Sequence, residues 1–291
     1  MELKKKIVDI IRGKNTNLTT LPVIVEKILS LAQSERTSAQ DLALVIEKDQ
    51  AIAGKLLKLA NSAYYGFMKE IDTIPRAITI VGFNEVIGLT IGMNVFSSFM
   101  EKDAHGILDL KQLWLHSIAC ATAAREIARR KSVGNVEKVF LSALLHDMGK
   151  IVFAKYLPEE YGSVYKEALN SGVSLYKEEK ERLGIDHSEL SGLMMKRWNF
   201  PEELRVPCRY HHSSNQCPPN AQRFASILEL ADYLCIKAKM GQIGNGSGSG
   251  SLPSLEDIQK RLHLSSKEID FIVDDLKAQR SNIEEFLEVF S

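Results

Sequence analysis

The chain has 291 residues, 45% of them hydrophobic, enough to bury a core as one large domain or two modest ones. Lysine plus arginine and aspartate plus glutamate total 37 each, so no net field draws nucleic acid or an anionic membrane to it. Four cysteines without a CxxC pair (Cys120, Cys208, Cys217, Cys235) argue against a disulfide framework and fit reduced thiols in the cytoplasm, and no stretch reaches the roughly 18 apolar residues of a membrane span.

The opening "MELKKKIVDIIRG" has too short an apolar part for a signal peptide and is interrupted by Asp9; it reads as an amphipathic helix stopped at Gly13. Leu21, Ile24, Val25 and Ile28 recur at helical spacing. Ile52, Leu56, Leu59, Ala60 and Ala63 form one apolar stripe, expected to pack in the core, and "NSAYYGF" after it reads as a helix end turning at Gly66. Tyr64, Tyr65 and Phe67 are of the types enriched at interfaces, though packing is the simpler expectation. Ala77 to Phe96 is rich in β-branched residues, yet Phe83, Val86, Ile87, Thr90 and Asn94 share a helical face, so the segment is expected to be helical.

A break at Met100 to Leu110 separates a front half without histidine from a back half holding all seven. Further on, Asp186 with Glu189 and Ser265 with Glu268 read as capping boxes, and Pro201 suits a first helical turn. Gly241 to Ser254 reads as a Gly/Ser linker, followed by a helical segment in which Ile269, Ile272, Val273 and Leu276 keep helical spacing. The expected architecture is all-α and two-lobed: residues 1–100, a second helical lobe over 101–240, the linker 241–254, and a C-terminal helical segment 255–291.

The chemistry lies in the back half. His116 in "LWLHSIACATAAREIA", His146 and Asp147 in "ALLHDMGK", His187 in "GIDHSELSGLMM", His211 and His212 in "CRYHHSS", and Asp232 in "ILELADYLCIKAKM" all fall on or at the ends of predicted helices. A helical bundle is the usual means of aiming such side chains at one point. Singly, each has an ordinary role as a core histidine, a cap or a surface charge; jointly, a shared site is the economical reading. Histidine and aspartate together suit Mn, Fe or Zn rather than Ca, and two such ions can activate water and clamp a phosphoryl group, with Lys150 offsetting its charge. Cys208 and Cys217 flank the His pair, but "CRYHHSSNQC" lacks the second half of a zinc knuckle.

This order of His, His-Asp with Gly-Lys behind it, and a later Asp resembles the HD superfamily of metal-dependent phosphohydrolases, and His187 with the His211-His212 pair resembles its HD-GYP branch of cyclic-di-GMP phosphodiesterases. By that resemblance His116, His146, Asp147 and Asp232 are core metal ligands, His187, His211 and His212 serve a second ion, Lys150 meets substrate phosphate, and Asp147 and Lys150 are the catalytic residues. Two features depart from the pattern: "HHSSNQCPPN" has neither the acidic residue nor the Gly-Tyr-Pro loop, and Gln112 stands where some members carry a glutamate. The front half, with "KLLKLANSAYYG" (Lys55 to Gly66) followed by "AITIVGFNEV" (Ala77 to Val86), resembles the HDOD domain, an HD-related output domain of bacterial signalling proteins, over about Leu18 to Tyr210. The resemblance implies a cytoplasmic regulatory protein that works through signalling-protein partners. It would bind a divalent transition metal, one ion or two of Fe, Mn or Zn, with little or no catalysis, and touch neither nucleic acid nor membrane. The alternative is a di-metal phosphohydrolase acting on a nucleotide or cyclic dinucleotide.

Overall fold

The computed structural model describes residues 2–12, 21–34, 36–100, 106–241 and 255–290. Among them the chain forms helices and no strand. In order these are α1 (Glu2–Arg12), α2 (Val23–Ala32), α3 (Ala39–Ile46), α4 (Gln50–Ala60), α5 (Ile74–Val81), α6 (Phe83–Met100), α7 (Leu110–Arg130), α8 (Val136–Leu145), α9 (Met148–Tyr156), α10 (Pro158–Ser171), α11 (Leu175–Leu183), α12 (His187–Arg197), α13 (Glu202–Arg209), α14 (Pro219–Lys237), α15 (Leu255–Leu262), α16 (Ser266–Ala278) and α17 (Arg280–Phe290), with a 3-10 turn at Ser214–Gln216 before α14. No single helix among the described residues is long and apolar enough to cross a membrane.

The chain divides into two compact units, one of Thr19–Lys102 with Ala278–Ser291, the other of Met1–Leu18 with Asp103–Lys277. In the first, Val25, Ile28, Leu42, Ile46, Leu56, Leu59 and Phe286 are fully buried. Local signals start its helices: Ser38 and Asp41 form a capping box on α3, and the Asp49 carboxylate accepts from the backbone of Ala51 and Ile52 at 3.1 Å on α4. The β-branched Ala77 to Phe96 segment is helical, as its spacing implies, but it is two helices meeting at 115° because Gly82 adopts φ 111° between them. The Ile52 to Ala60 stripe is buried, whereas Ala63 lies beyond the helix end and is exposed. Tyr64 and Tyr65 are spent on packing: Tyr64 meets the Phe286 ring at 4.6 Å, and the Tyr65 hydroxyl donates to Glu85 at 2.8 Å.

The histidines belong to the other unit. Its axis is α7, buried on nearly every side from Leu113 to Ala128, whose small residues let α8 and α14 pack closely against it. The expected boundaries shift at both ends. Helix α1 packs on α12 of the histidine unit, with Lys6 paired to Glu160 at 2.8 Å and Arg197 donating to the Ile11 carbonyl at 3.0 Å. The C-terminal segment is divided: α15 packs on α14, the Ser265–Glu268 capping box forms, and Lys131 reaches both Glu268 and the His263 carbonyl, while α17 packs on α4 and α6 of the first unit. Amphipathic helices go where an apolar face is open, whatever their order in the chain. Gly13 and, apart from Gly241, the Gly/Ser linker lie outside the described residues, as do residues 101–105 of the expected break.

One glycine sets the approach of α9 to α12. A methyl group on Gly149 would sit 2.1 Å from the His187 carbonyl oxygen, and the Gly149 N–H donates to Ser191 Oγ at 2.9 Å. Gly149→Ala is therefore expected to lower the unfolding free energy by about 1–3 kcal/mol or more through overpacking. Gly54→Ala, exposed in mid-α4 with open space around it, should raise the unfolding free energy by about 0.5–1 kcal/mol. Urea titration of the two variants checks the opposite signs.

Candidate metal centre

Three structural devices bring the site together. α7 and α14 run side by side and present His116 and Asp232; the break between α8 and α9 turns out His146 and Asp147; and the start of α12 and the turn after α13 supply His187, His211 and His212. All seven side chains expected as ligands converge. His116 Nε2 lies 2.9 Å from Asp232 Oδ1 and 3.7 Å from Asp147 Oδ2, and His146 Nε2 is 3.4 Å from the same Asp147 oxygen. The other Asp147 oxygen, Oδ1, faces His187 Nε2 at 3.2 Å and His211 Nε2 at 3.8 Å. His212 Nε2 is 2.9 Å from His187 Nε2, and its Nδ1 is 3.9 Å from Asp232 Oδ2. Asp147 thus stands between two groups of imidazoles, one oxygen toward each.

Backbone carbonyls and a carboxylate orient the rings. The Nδ1 atoms of His146, His211 and His116 face the carbonyls of Ala143 (2.6 Å), Cys208 (2.7 Å) and Met240 (3.2 Å), and His187 Nδ1 faces Glu179 Oε2 at 2.6 Å. An Nδ1 proton donated to an oxygen leaves the Nε2 lone pair pointing inward, the arrangement that holds metal-binding histidines.

Whether a cation fits can be judged from what is left unpaired. His146 Nε2 and His211 Nε2 are buried without a hydrogen-bond partner, Asp147 Oδ1 has His187 Nε2 at 3.2 Å, and His146, Asp147 and His211 each offer an atom within 4.8 Å of the others. Unpaired buried acceptors facing one another are costly unless something positive sits among them. Both ring nitrogens of His116 face acceptors, so without an ion that ring must carry an extra proton. Three buried carboxylates (Asp147, Asp232, Glu179) meet one buried ammonium, Lys150. A divalent ion answers each of these observations.

Charge shapes the acid–base behaviour of the metal-free cluster. Burial works to raise the Asp147 and Asp232 carboxyls, but the neighbouring His146 and Lys150, and His116, outweigh it and hold both far below the usual range. Burial likewise opposes protonation of His187, yet the charge of Glu179 lifts it to about 9. Burial beside other imidazoles pushes His211 well below the ordinary value and His212 down to about 3.

One expected role looks different in place, and one contributor was not expected. Lys150 is buried and its ammonium donates to Asp147 Oδ2 at 2.7 Å, so it holds that carboxylate rather than facing an opening where phosphate would arrive. Glu179 was not among the expected residues, although it orients His187 through both the ring and the backbone N–H (2.8 Å) and accepts from the Tyr161 hydroxyl at 3.0 Å. Its one signal in the sequence is spacing: Leu175, Glu179 and Leu183 share the buried face of α11. A cleft of about 550 Å³ lies beside the site, where Tyr176 stacks on His212 with ring centroids 4.4 Å apart. Lys177, Lys180 and Arg209 line it, basic residues supplied by α11 and α13 rather than by the segment after His212.

The HDOD domain family model matches residues 18–214. The chain belongs to the HDOD domain family. Asp232 lies beyond the matched stretch and reaches the cluster only through the packing of α14 on α7. An uncharacterized protein of Treponema pallidum (strain Nichols) is 24% identical over 218 residues, 73% of this chain, and the chain spans 41% of that relative's length. Among solved structures, an HDOD domain protein with unknown function from Geobacter sulfurreducens superposes with a TM-score of 0.81 at 22% identity, covering 100% of this chain and 98% of its own. A proposed phosphohydrolase from Shewanella amazonensis SB2B gives 0.77 at 19% identity with 98% of both chains covered. A proposed signal transduction protein from Marinobacter aquaeolei VT8 gives 0.80 at 20% identity, covering 99% of this HDOD chain and 65% of its own. At these identities the likeness is one of fold.

Ligation through His187 requires its Nε2 lone pair, whereas below about pH 9 the metal-free ring is an imidazolium. Metal binding at neutral pH should therefore expel a proton from His187, and affinity should rise with pH up to about 9; calorimetry in buffers of different ionisation enthalpy measures that proton. Glu179→Gln should lower metal affinity roughly 10–100-fold, as removal of an outer-shell partner does, and bring the His187 titration followed by NMR in the metal-free protein below about 9.

Proposed function

We propose that this protein is a metal-binding HDOD regulatory module of the cytoplasm that hydrolyses phosphoesters little or not at all and passes on its state through contacts with signalling proteins. The observation that carries this reading is closure. Of the seven ligand side chains, six are at most 6% exposed, and His212, at 12% and covered by the Tyr176 ring, is the most open. Turnover needs a phosphoester seated within reach of activated water, and positioning supplies several kcal/mol of such barriers. The neighbouring cleft has no excess of positive charge to seat it: Lys177, Lys180 and Arg209 are matched by Glu181, Asp186 and Glu189, and Lys180 is paired with Glu189. "SSNQCPPN" after His212 adds no base. Four free, buried cysteines fit a reducing compartment.

His116, His146 and Asp232 would hold one ion, His187, His211 and His212 a second, and Asp147 would offer an oxygen to each; this donor set suits Fe, Mn or Zn. A bound ion of this kind supplies Lewis acidity and a water made acidic enough to attack. The chain's own part is to hold the donors: Lys150 keeps Asp147 ionised, and Glu179 fixes the His187 ring. The placement of Asp147 between two imidazole groups favours a second reading, a di-metal phosphohydrolase acting on a nucleotide or cyclic dinucleotide.

Two measurements separate them. Wild type loaded with Mn or Fe should turn over cyclic-di-GMP and simple phosphodiesters no faster than Asp147→Ala; robust turnover that disappears in the variant replaces the regulatory reading with the enzyme. In metal analysis, replacing both His211 and His212 with alanine should lower the metal content while one ion per chain is retained. Loss of all metal, or of none, contradicts the division into two sets.

A further inference from the structure

The sequence offers four cysteines as reduced thiols, and three of them have ordinary surroundings. Cys208 Sγ donates to the Ser142 carbonyl at 3.1 Å, Cys217 packs against Val206, Ala221 and Ala225, and Cys235 follows Asp232 by three residues on α14 and lies beside Cys120. Cys120 differs. It sits one turn after His116 on α7, so the two side chains leave the same face of the helix. Its Sγ lies beside the His116 ring, 3.4 Å from Nε2 and 3.9 Å from Nδ1. With His116, His146 and Asp232 it forms a buried group in which each residue offers a ligand atom within 4.8 Å of the others. The His146 Nε2 in that group has no hydrogen-bond partner.

We propose that Cys120 is a metal ligand as its thiolate, completing a mixed sulfur, nitrogen and oxygen set with His116, His146 and Asp232. The proposal rests on the reading that the cluster binds a metal. A sulfur at about 2.3 Å and an imidazole nitrogen at about 2.0–2.1 Å from one ion lie about 3–3.6 Å apart. The four atoms, which lie within 4.8 Å of one another, would therefore draw in on binding, with Cys120 Sγ turning from beside the His116 ring toward its Nε2 lone pair. A cysteine acting only as a small apolar filler needs apolar neighbours, whereas this one faces an imidazole and shares its group with a second imidazole and a carboxylate. On binding, the sulfur–hydrogen bond gives its proton to solvent and the freed lone pair forms the bond to the ion; nothing is oxidised or reduced. A thiolate tilts the site away from Mg and Ca and toward zinc and similar softer ions.

Cobalt(II) titration of the metal-free full-length protein is the test. Bound cobalt should show an intense near-ultraviolet sulfur-to-cobalt charge-transfer band alongside its visible ligand-field bands. The band should be lost in Cys120→Ser and persist in Cys235→Ser. It should also persist when Cys208, Cys217 and Cys235 are all replaced by serine, a variant that leaves Cys120 in place should Cys120→Ser fail to fold. Cobalt uptake by wild type without the band overturns the thiolate and leaves the metal reading standing. A band that survives Cys120→Ser, or that vanishes in Cys235→Ser, assigns the sulfur elsewhere and overturns it as well. A protein that takes up no cobalt overturns both.

Discussion

The Asp147 carboxylate is the contact around which the histidine unit is arranged. Its Oδ2 takes the Lys150 ammonium and faces His116 and His146, while its Oδ1 faces His187 and His211. A carboxylate this deeply buried persists as an anion only because cationic and polar groups crowd it. Several local oddities then have a reason. The helical run through "ALLHDMGK" must break between α8 and α9 so that His146 and Asp147 both point inward, and the residue after Met148 must be glycine so that α9 can lie against the backbone of His187.

Holding so many ionisable groups out of water costs stability unless each is paired. The chain pairs most of them itself, through Lys150, Glu179 and three backbone carbonyls, and leaves unpaired the few atoms that face one another at the centre. A cation bound there would add its binding free energy to that of folding, so metal availability and stability of this unit are linked quantities. Gain or loss of such an ion would change how firmly α7, α9, α12 and α14 are held.

The other unit has a different economy. It holds no histidine, and its helices are fixed by caps, by apolar stripes and by the aromatic contact of Tyr64 with Phe286 from the far end of the chain. Tyr64 and Tyr65 are therefore structural first. The exposed large hydrophobic residues at that turn are Phe67 and Met68.

Much of this was legible in the sequence. Helical spacing identified an all-α chain, the caps at Ser265 and Asp186 marked helix starts, and the order of His116, His146-Asp147, His187, His211-His212 and Asp232 named the seven residues that converge, because residue type and period are local properties written along the chain. Other features depended on what is adjacent in space. Nothing local distinguishes Glu179 among the charges of "LYKEEKERL", marks Cys120 as a neighbour of His146 and Asp232, or turns Lys150 inward onto Asp147. The same holds for the ends: α1 and α17 are ordinary amphipathic helices, and each belongs to the unit that is discontinuous with its own part of the chain. Periodicity shows that a helix has a face to bury, but only the assembled core offers the surface that accepts it, and only that packing decides which buried charge meets which partner.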